Sequence, residues 1–414
     1  MSRAAPVEET GRIAFWDLMR GIAVLGVLLA NMPIMAFPEA LVWEPTWFAI
    51  GPKDGLADRI AFGFVRFFAD TKFITIFSVL FGAGLGIMSE KAIADGDRPF
   101  AKLYLRRLGA LLVIGLLHAN LIWLGDILVH YAVIGAIALT CRRWRVPSLL
   151  LAAGLLLCVG FLSSALAGGV GFAMSVAEDP ASVPAPAEEI AHYREVFTSG
   201  DPLLMIRERF AVILEATFFI TVFWGWRTLA LFLVGIALVK SRIFVEPERR
   251  RALFRRVAIG GLVVGGLWNA AWTVVSFGAE HQDRLDPGLG WLVAFCTLQY
   301  GAALVLSPAY LSVCALWAGS RVLVGLRHAL ASVGRMALTN YLSHSIITAV
   351  VFNYLGYFGR WGRFDGLLFC AAIFAFQLAT SPWWLARFRF GPVEWLWRSI
   401  TYGRLQPMRR PAHA

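Results

Sequence analysis

The chain is predicted to be all-α, a polytopic membrane helical bundle of about ten transmembrane helices with both termini cytoplasmic. Three observations predict this class. First, the sequence contains ten long apolar stretches, at 18–37, 71–90, 107–123, 126–141, 148–172, 211–240, 256–277, 289–318, 335–356 and 364–386. Most reach the ~17–25 residues that cross a hydrocarbon core. Second, hydrophobic residues make up 58% of the chain and charged residues only 16%, with a mean hydropathy of +0.67. Soluble domains sit well below that balance. Third, Lys and Arg alternate from loop to loop. With the N-terminus inside, 27 fall on the cytoplasmic side and 9 on the other. Cytoplasmic loops favour Lys and Arg, so an even span count and the charge bias agree.

The elements follow in order. A cytoplasmic segment, 1–17, leads into a first span too long for a signal-peptide core, with Phe37 and Pro38 where a cleavage site would need small residues. Residues 38–70, a long non-apolar segment, are expected outside the cytoplasm by the charge count. In the second span Gly82 and Gly86, four apart, allow close helix approach, as do Gly261 and Gly265 in the seventh. The turn between the third and fourth spans is so short that they must form a tight outer hairpin. Residues 178–206 are rich in Pro and acids, which reads as a flexible acidic loop outside. The stretch 211–240 exceeds what a span needs, and Gly225 between Trp224 and Trp226 predicts a break or strong tilt there. The tail, 386–414, is basic and aromatic, as an amphipathic helix on the cytoplasmic face would be. The organisation is thus 1–17, an N-terminal membrane region at 18–240 and a C-terminal membrane domain at 241–414.

The formal charge of +11 does not point to nucleic acid, because the basic residues spread over six cytoplasmic segments. Anionic membrane lipids are the partners such a distribution fits. Five scattered cysteines show no metal-ligand spacing, and no metal is expected.

Function in such a chain should sit where ionisable groups are held in the bilayer. Asp17 and Arg20, at i,i+3, either anchor the first span as an interfacial ion pair or offer Arg20 to a phosphate. His118 and Asp126 flank the outer hairpin turn, and a carboxylate that orients an imidazole makes a general base. His130 shares a helix face with Asp126 but reads as a packing histidine. Asn340, His344 and Thr348 form an i,i+4,i+8 polar stripe that interhelical hydrogen bonding explains. Arg227 must be paired or face water, with Glu215 or Asp126 as the expected partner.

The strings FWDLMRGIAVLGVLLAN, KFITIFSVLFGAGLG, HANLIWLGDIL, GRMALTNYLSHSII and GPVEWLWRSITYGRLQPMRR resemble the YeiB-like family of bacterial inner-membrane proteins, in order and over nearly the whole chain. That family carries a C-terminal domain of unknown function and is grouped with transmembrane acyltransferases. Those enzymes take an acyl group from cytosolic acyl-CoA to an acceptor across the membrane, and Asp17-x-x-Arg20-Gly21 is similar to their first-span signature. The sequence departs from them at Asn31, where one branch carries a histidine, and no histidine occurs in 38–70. Asparagine is no general base near neutral pH. His118 and Asp126 match the family pattern and remain the catalytic candidates. The resemblance implies an acyl-CoA donor with its phosphates near Arg20 and Asp17. It also implies an acceptor (sugar, lipid or small molecule) at the outer face. The rival reading is a transporter or lipid flippase using Arg227, Asn340 and His344 as a polar pathway.

Overall fold

Each of the ten apolar stretches falls on helix in the computed structural model, which describes residues 14–38, 55–96, 100–177, 186–245, 247–278 and 289–410. Ala14–Ala36 forms α1, Leu56–Phe68 α2, Lys72–Ala94 α3, Phe100–Leu121 α4, Leu128–Thr140 α5 and Val146–Ala177 α6. Then come α7 (Pro186–Thr198), α8 (Pro202–Lys240), α9 (Arg251–Gly278) and α10 (Leu289–Ala318). The chain closes with α11 (Val324–Arg335), α12 (Ala337–Ala349, continued by a π turn to Tyr354), α13 (Arg363–Arg387) and α14 (Pro392–Tyr402). Among the described residues no strand is present, and seven helical runs are long and apolar enough to cross a membrane. The chain is a polytopic helical membrane protein.

Close crossings hold the bundle together. A Cβ on Gly82 would lie 2.1 Å from the Phe232 carbonyl oxygen, and one on Gly235 would lie 2.1 Å from that of Val79, so α3 and α8 touch through backbone. Gly261 and Gly265 bring α9 close to α10, where an added Cβ would meet Ala309 Cβ at 2.8 Å and Leu306 Cα at 3.0 Å. In lipid, where apolar burial gives little drive, such backbone approach supplies the packing. Around the α3–α8 crossing, Tyr131, Ile134, Phe232 and Ile236 form the largest buried cluster. Only 17% of the apolar window of α6 and 22% of that of α9 are buried, so these helices form the lipid-facing flank.

Four expectations are corrected. Residues 38–70 are not simply an external loop: Leu56–Phe68 is a helix whose exposed face carries Leu56, Ile60, Phe64 and Phe68 at i,i+4 spacing. A regular stripe of exposed large apolar residues suits lipid contact. The flexible acidic loop contains α7, with Tyr193 and Phe197 buried against Phe352 and Phe358; residues 178–185 lie outside the described ones. α8 is an unbroken helix through Gly225, so the expected break is absent, and the glycine sits where an added Cβ would stand 3.2 Å from Ile134 Cδ1. The tail helix α14 does not merely lie on lipid. Glu394 is buried and accepts from the amides of Leu338 (2.6 Å) and Thr339 (3.0 Å), capping the start of α12. The Thr339 hydroxyl donates to its other oxygen at 2.5 Å. Burial pushes the Glu394 carboxyl above its ordinary range despite those donors.

Candidate functional site

α4 and α5 are antiparallel, and Gly115 lets them close. A Cβ there would meet the Val129 amide at 2.8 Å and Asp126 Oδ1 at 3.0 Å. Asp126 precedes the first turn of α5 and uses its two oxygens differently. Oδ1 accepts from the Val129 amide at 2.9 Å, satisfying a free donor of the helix start. Oδ2 meets His118 Nδ1 at 2.7 Å. Both side chains are only 1% exposed. The second ring nitrogen, His118 Nε2, is buried and has no hydrogen-bond partner among the described residues. With Nδ1 held by the carboxylate, a neutral ring carries its proton there and presents Nε2 as an acceptor. The ring of Tyr341 lies 5.4 Å away and that of Trp123 6.2 Å.

The hairpin tip is covered. Trp123 and Leu124 pack against the cluster of Tyr193, Phe197 and Phe352, and Arg209 Nη1 of α8 donates to the Leu121 carbonyl at 3.2 Å. α5, at 13 residues, is about 20 Å long and shorter than a hydrocarbon core. The tip is therefore recessed beneath α7 and the start of α8.

Other sequence candidates are held elsewhere. Arg20 Nη1 contacts Asp17 Oδ1 at 2.8 Å in the first half of α1. Arg107 lies 3.5 Å over the Trp397 ring. A cavity of about 190 Å³ is lined in part by Trp16, Glu90 and Arg242. Arg251, Arg255 and Arg256 line a second, of about 450 Å³. His130 bonds Thr228 (2.9 Å) and Thr221 (3.3 Å) of α8 and takes no part in the dyad. The Asn340 stripe is tied to α13. His344 Nε2 meets Gln377 Oε1 at 2.8 Å, Gln377 Nε2 donates to the Asn340 carbonyl at 3.1 Å, and Asn340 Nδ2 donates to Ser381 at 3.2 Å. Such mutual satisfaction between two helices is what packing requires.

Arg227 does not pair with Asp126; the side chain of Glu215 lies outside the described residues. Arg227 Nη2 donates to Thr75 Oγ1 at 2.9 Å, and its guanidinium lies 5.1 Å over the Tyr300 ring. Sequence reasoning missed this neighbourhood. It contains Arg66, Asp70 and Lys72 at the junction of α2 and α3, and Arg66 Nη1 contacts Asp70 Oδ2 at 2.7 Å. Three charged residues within seven positions, next to an apolar run, were the available signal.

Residues 238–404 match the family model described as a protein of unknown function (DUF418). The uncharacterized protein YxaH of Bacillus subtilis (strain 168) is 32% identical over 429 aligned positions, covering 99% of this chain and 99% of that protein. The chain belongs to the YeiB-like family. The uncharacterized protein YeiB of Escherichia coli (strain K12) is 29% identical, covering 93% of this chain and 95% of its own. No solved structure matches the chain.

Proposed function

We propose that this YeiB-like protein is an acyl-transfer enzyme of the bacterial inner membrane, with the basic face and both termini in the cytoplasm and ten crossings between. The observation that carries the reading is a buried imidazole whose Nδ1 is held by Asp126 while Nε2 has no partner among the described residues. That is the arrangement of a general base waiting for an acceptor.

In this reading acyl-CoA places its phosphates near Arg20 and Arg107, with Asp17 orienting Arg20. The vertical distance to the dyad is manageable. Arg107 and His118 share α4, eleven residues apart, or about 17 Å along the axis. An acceptor hydroxyl or amine gives its proton to His118 Nε2 and attacks the thioester carbonyl. The new C–O or C–N bond forms, the C–S bond breaks, and the departing thiolate recovers the proton from the imidazolium. Asp126 stabilises the charged ring between the two transfers.

Calorimetry with CoA and acetyl-CoA, followed by a thiol-release assay with glycerol and glucosamine as acceptors, tests this. Wild-type protein binds and releases thiol, and His118→Gln lowers release by ~10²-fold or more while its unfolding midpoint stays near wild type. Absence of binding at ~1 mM CoA, a free energy weaker than about −4 kcal/mol, sinks the reading and favours transport without covalent chemistry.

A further inference from the structure

α2 and α3 together are one interrupted membrane element. The Phe73 ring occupies the space in which a Cβ on Gly26, near the middle of α1, would sit. Tyr310 OH and Ser307 Oγ, within α10, donate to the carbonyls of Phe68 and Lys72 at 3.2 Å each. The interruption at Ala69–Thr71 thus lies at the depth of the middle of two long helices. Thr71 there has φ 61°, the left-handed region. Non-helical backbone at membrane depth survives only where its polar groups are satisfied within protein. Here the Arg66 carbonyl takes Lys72 Nζ at 2.6 Å and the Asp70 carbonyl takes Thr71 Oγ1 at 2.7 Å.

At the junction Arg66 Nη1 contacts Asp70 Oδ2 at 2.7 Å, Lys72 Nζ sits on the Arg66 carbonyl, and Arg227 reaches Thr75 of α3. With all four ionised the net charge is +2; with Lys72 neutral it is still +1. Lys72 is fully buried and Arg227 only 8% exposed. An uncompensated charge so placed is costly in a membrane. Arg227 Nη2 is anchored to Thr75 in the first turn of α3, and the adjacent Nε–H is buried without a partner among the described residues. The N-terminus of α3 adds its positive dipole end at the same place. Interrupted helices in membrane proteins present such ends to anionic groups.

We propose that the α2–α3 junction is an oxyanion-binding site. It takes a carboxylate or phosphate on Arg227 Nε and the start of α3, with Lys72 and Arg66 supplying the balancing field. The site is independent of the His118–Asp126 dyad, so His118→Gln retains it.

The test is the unfolding midpoint of the purified protein in neutral detergent, titrated at constant ionic strength with sodium acetate, sodium phosphate or sodium decanoate against sodium chloride. The expected result is a saturable rise with an oxyanion beyond that with chloride. Acetate or phosphate acting alone identifies a free anion, and decanoate acting alone identifies an anion carried on a lipid tail. Arg227→Lys is expected to weaken the apparent affinity at least tenfold, because an ammonium lacks the guanidinium fork. Thr75→Val, which keeps every charge but releases the Nη2 anchor, is expected to weaken it less, and it decides the matter if Arg227→Lys does not fold. No saturable rise with any of the three salts, or an unchanged affinity in the variant that folds, overturns the proposal.

Discussion

The outer hairpin and the α2–α3 junction both hide ionisable groups inside the bundle, yet they resolve the cost in opposite ways. At the hairpin one carboxylate serves two donors, the Val129 amide and His118, and the groups form a closed pair with one free acceptor. At the junction the carboxylate of Asp70 pairs with Arg66, the Arg66 carbonyl takes Lys72, and Arg227 Nε has no partner among the described residues. A paired site with a spare acceptor suits taking up a proton. A site with surplus positive charge suits holding an anion. The two differ in stoichiometry and also in burial: the His118 and Asp126 side chains are 1% exposed, whereas those of Arg66 and Asp70 are 13% and 21% exposed.

The largest effect that tests this contrast is expected at Asp70. Asp70→Asn leaves the buried Lys72 and Arg227 and the half-buried Arg66 without their carboxylate, which should cost up to about 3 kcal/mol, the low end of the loss on breaking a buried pair because Arg66 and Asp70 are partly exposed. The drop in unfolding midpoint in detergent measures it. Adding Lys72→Met to Asp70→Asn should recover part of the loss, because one cation is removed with the carboxylate. A neutral Asp70→Asn would show that the junction is not a charge-compensated unit.

A smaller effect on stability is expected from Asp126→Asn. The amide oxygen can still accept from Val129, and only the contact with His118 changes character. The cost should be about 1–2 kcal/mol, the net worth of a charge-assisted bond, while thiol release falls far more. If Asp126→Asn destabilises as strongly as Asp70→Asn, the hairpin pair is a structural clamp and the distinction between the two regions fails.

The hairpin was legible in the sequence and the junction was not, for a physical reason. His118 and Asp126 flank a turn so short that chain connectivity alone brings them together. The partners of Arg227 come from α3 and α10, far off in the chain, and only packing selects Thr75 and Tyr300 over Asp126. The apolar runs predicted the long helices well, because lipid demands them. They failed at Leu56–Phe68, where Arg66, Asp70 and Lys72 break the run and make a membrane element look like a loop. The buried cap at Glu394 was hidden likewise, since its donors lie 55 and 56 positions away.

The smallest expected effect concerns where helices break. Gly225 between two tryptophans looked like an interruption, yet α8 passes through it, while the actual interruption stands at Thr71 with no glycine. If Gly225 carried a hidden kink, alanine would resist it and destabilise. In a regular helix alanine gains up to about 1 kcal/mol over glycine. The added Cβ would meet Ile134 Cδ1 at 3.2 Å, and the next neighbour, His130 Cε1, stands at 4.0 Å. Cδ1 is the far end of a flexible side chain and can yield a few tenths of an ångström. Gly225→Ala should therefore shift stability by less than about 1 kcal/mol, toward stabilisation. Loss of more than about 2 kcal/mol would mean that α8 needs its glycine, because overpacking costs of that size arise only where neighbours cannot move. α8 would then join the α2–α3 junction and the break at Met336 between α11 and α12 as a point of helix interruption.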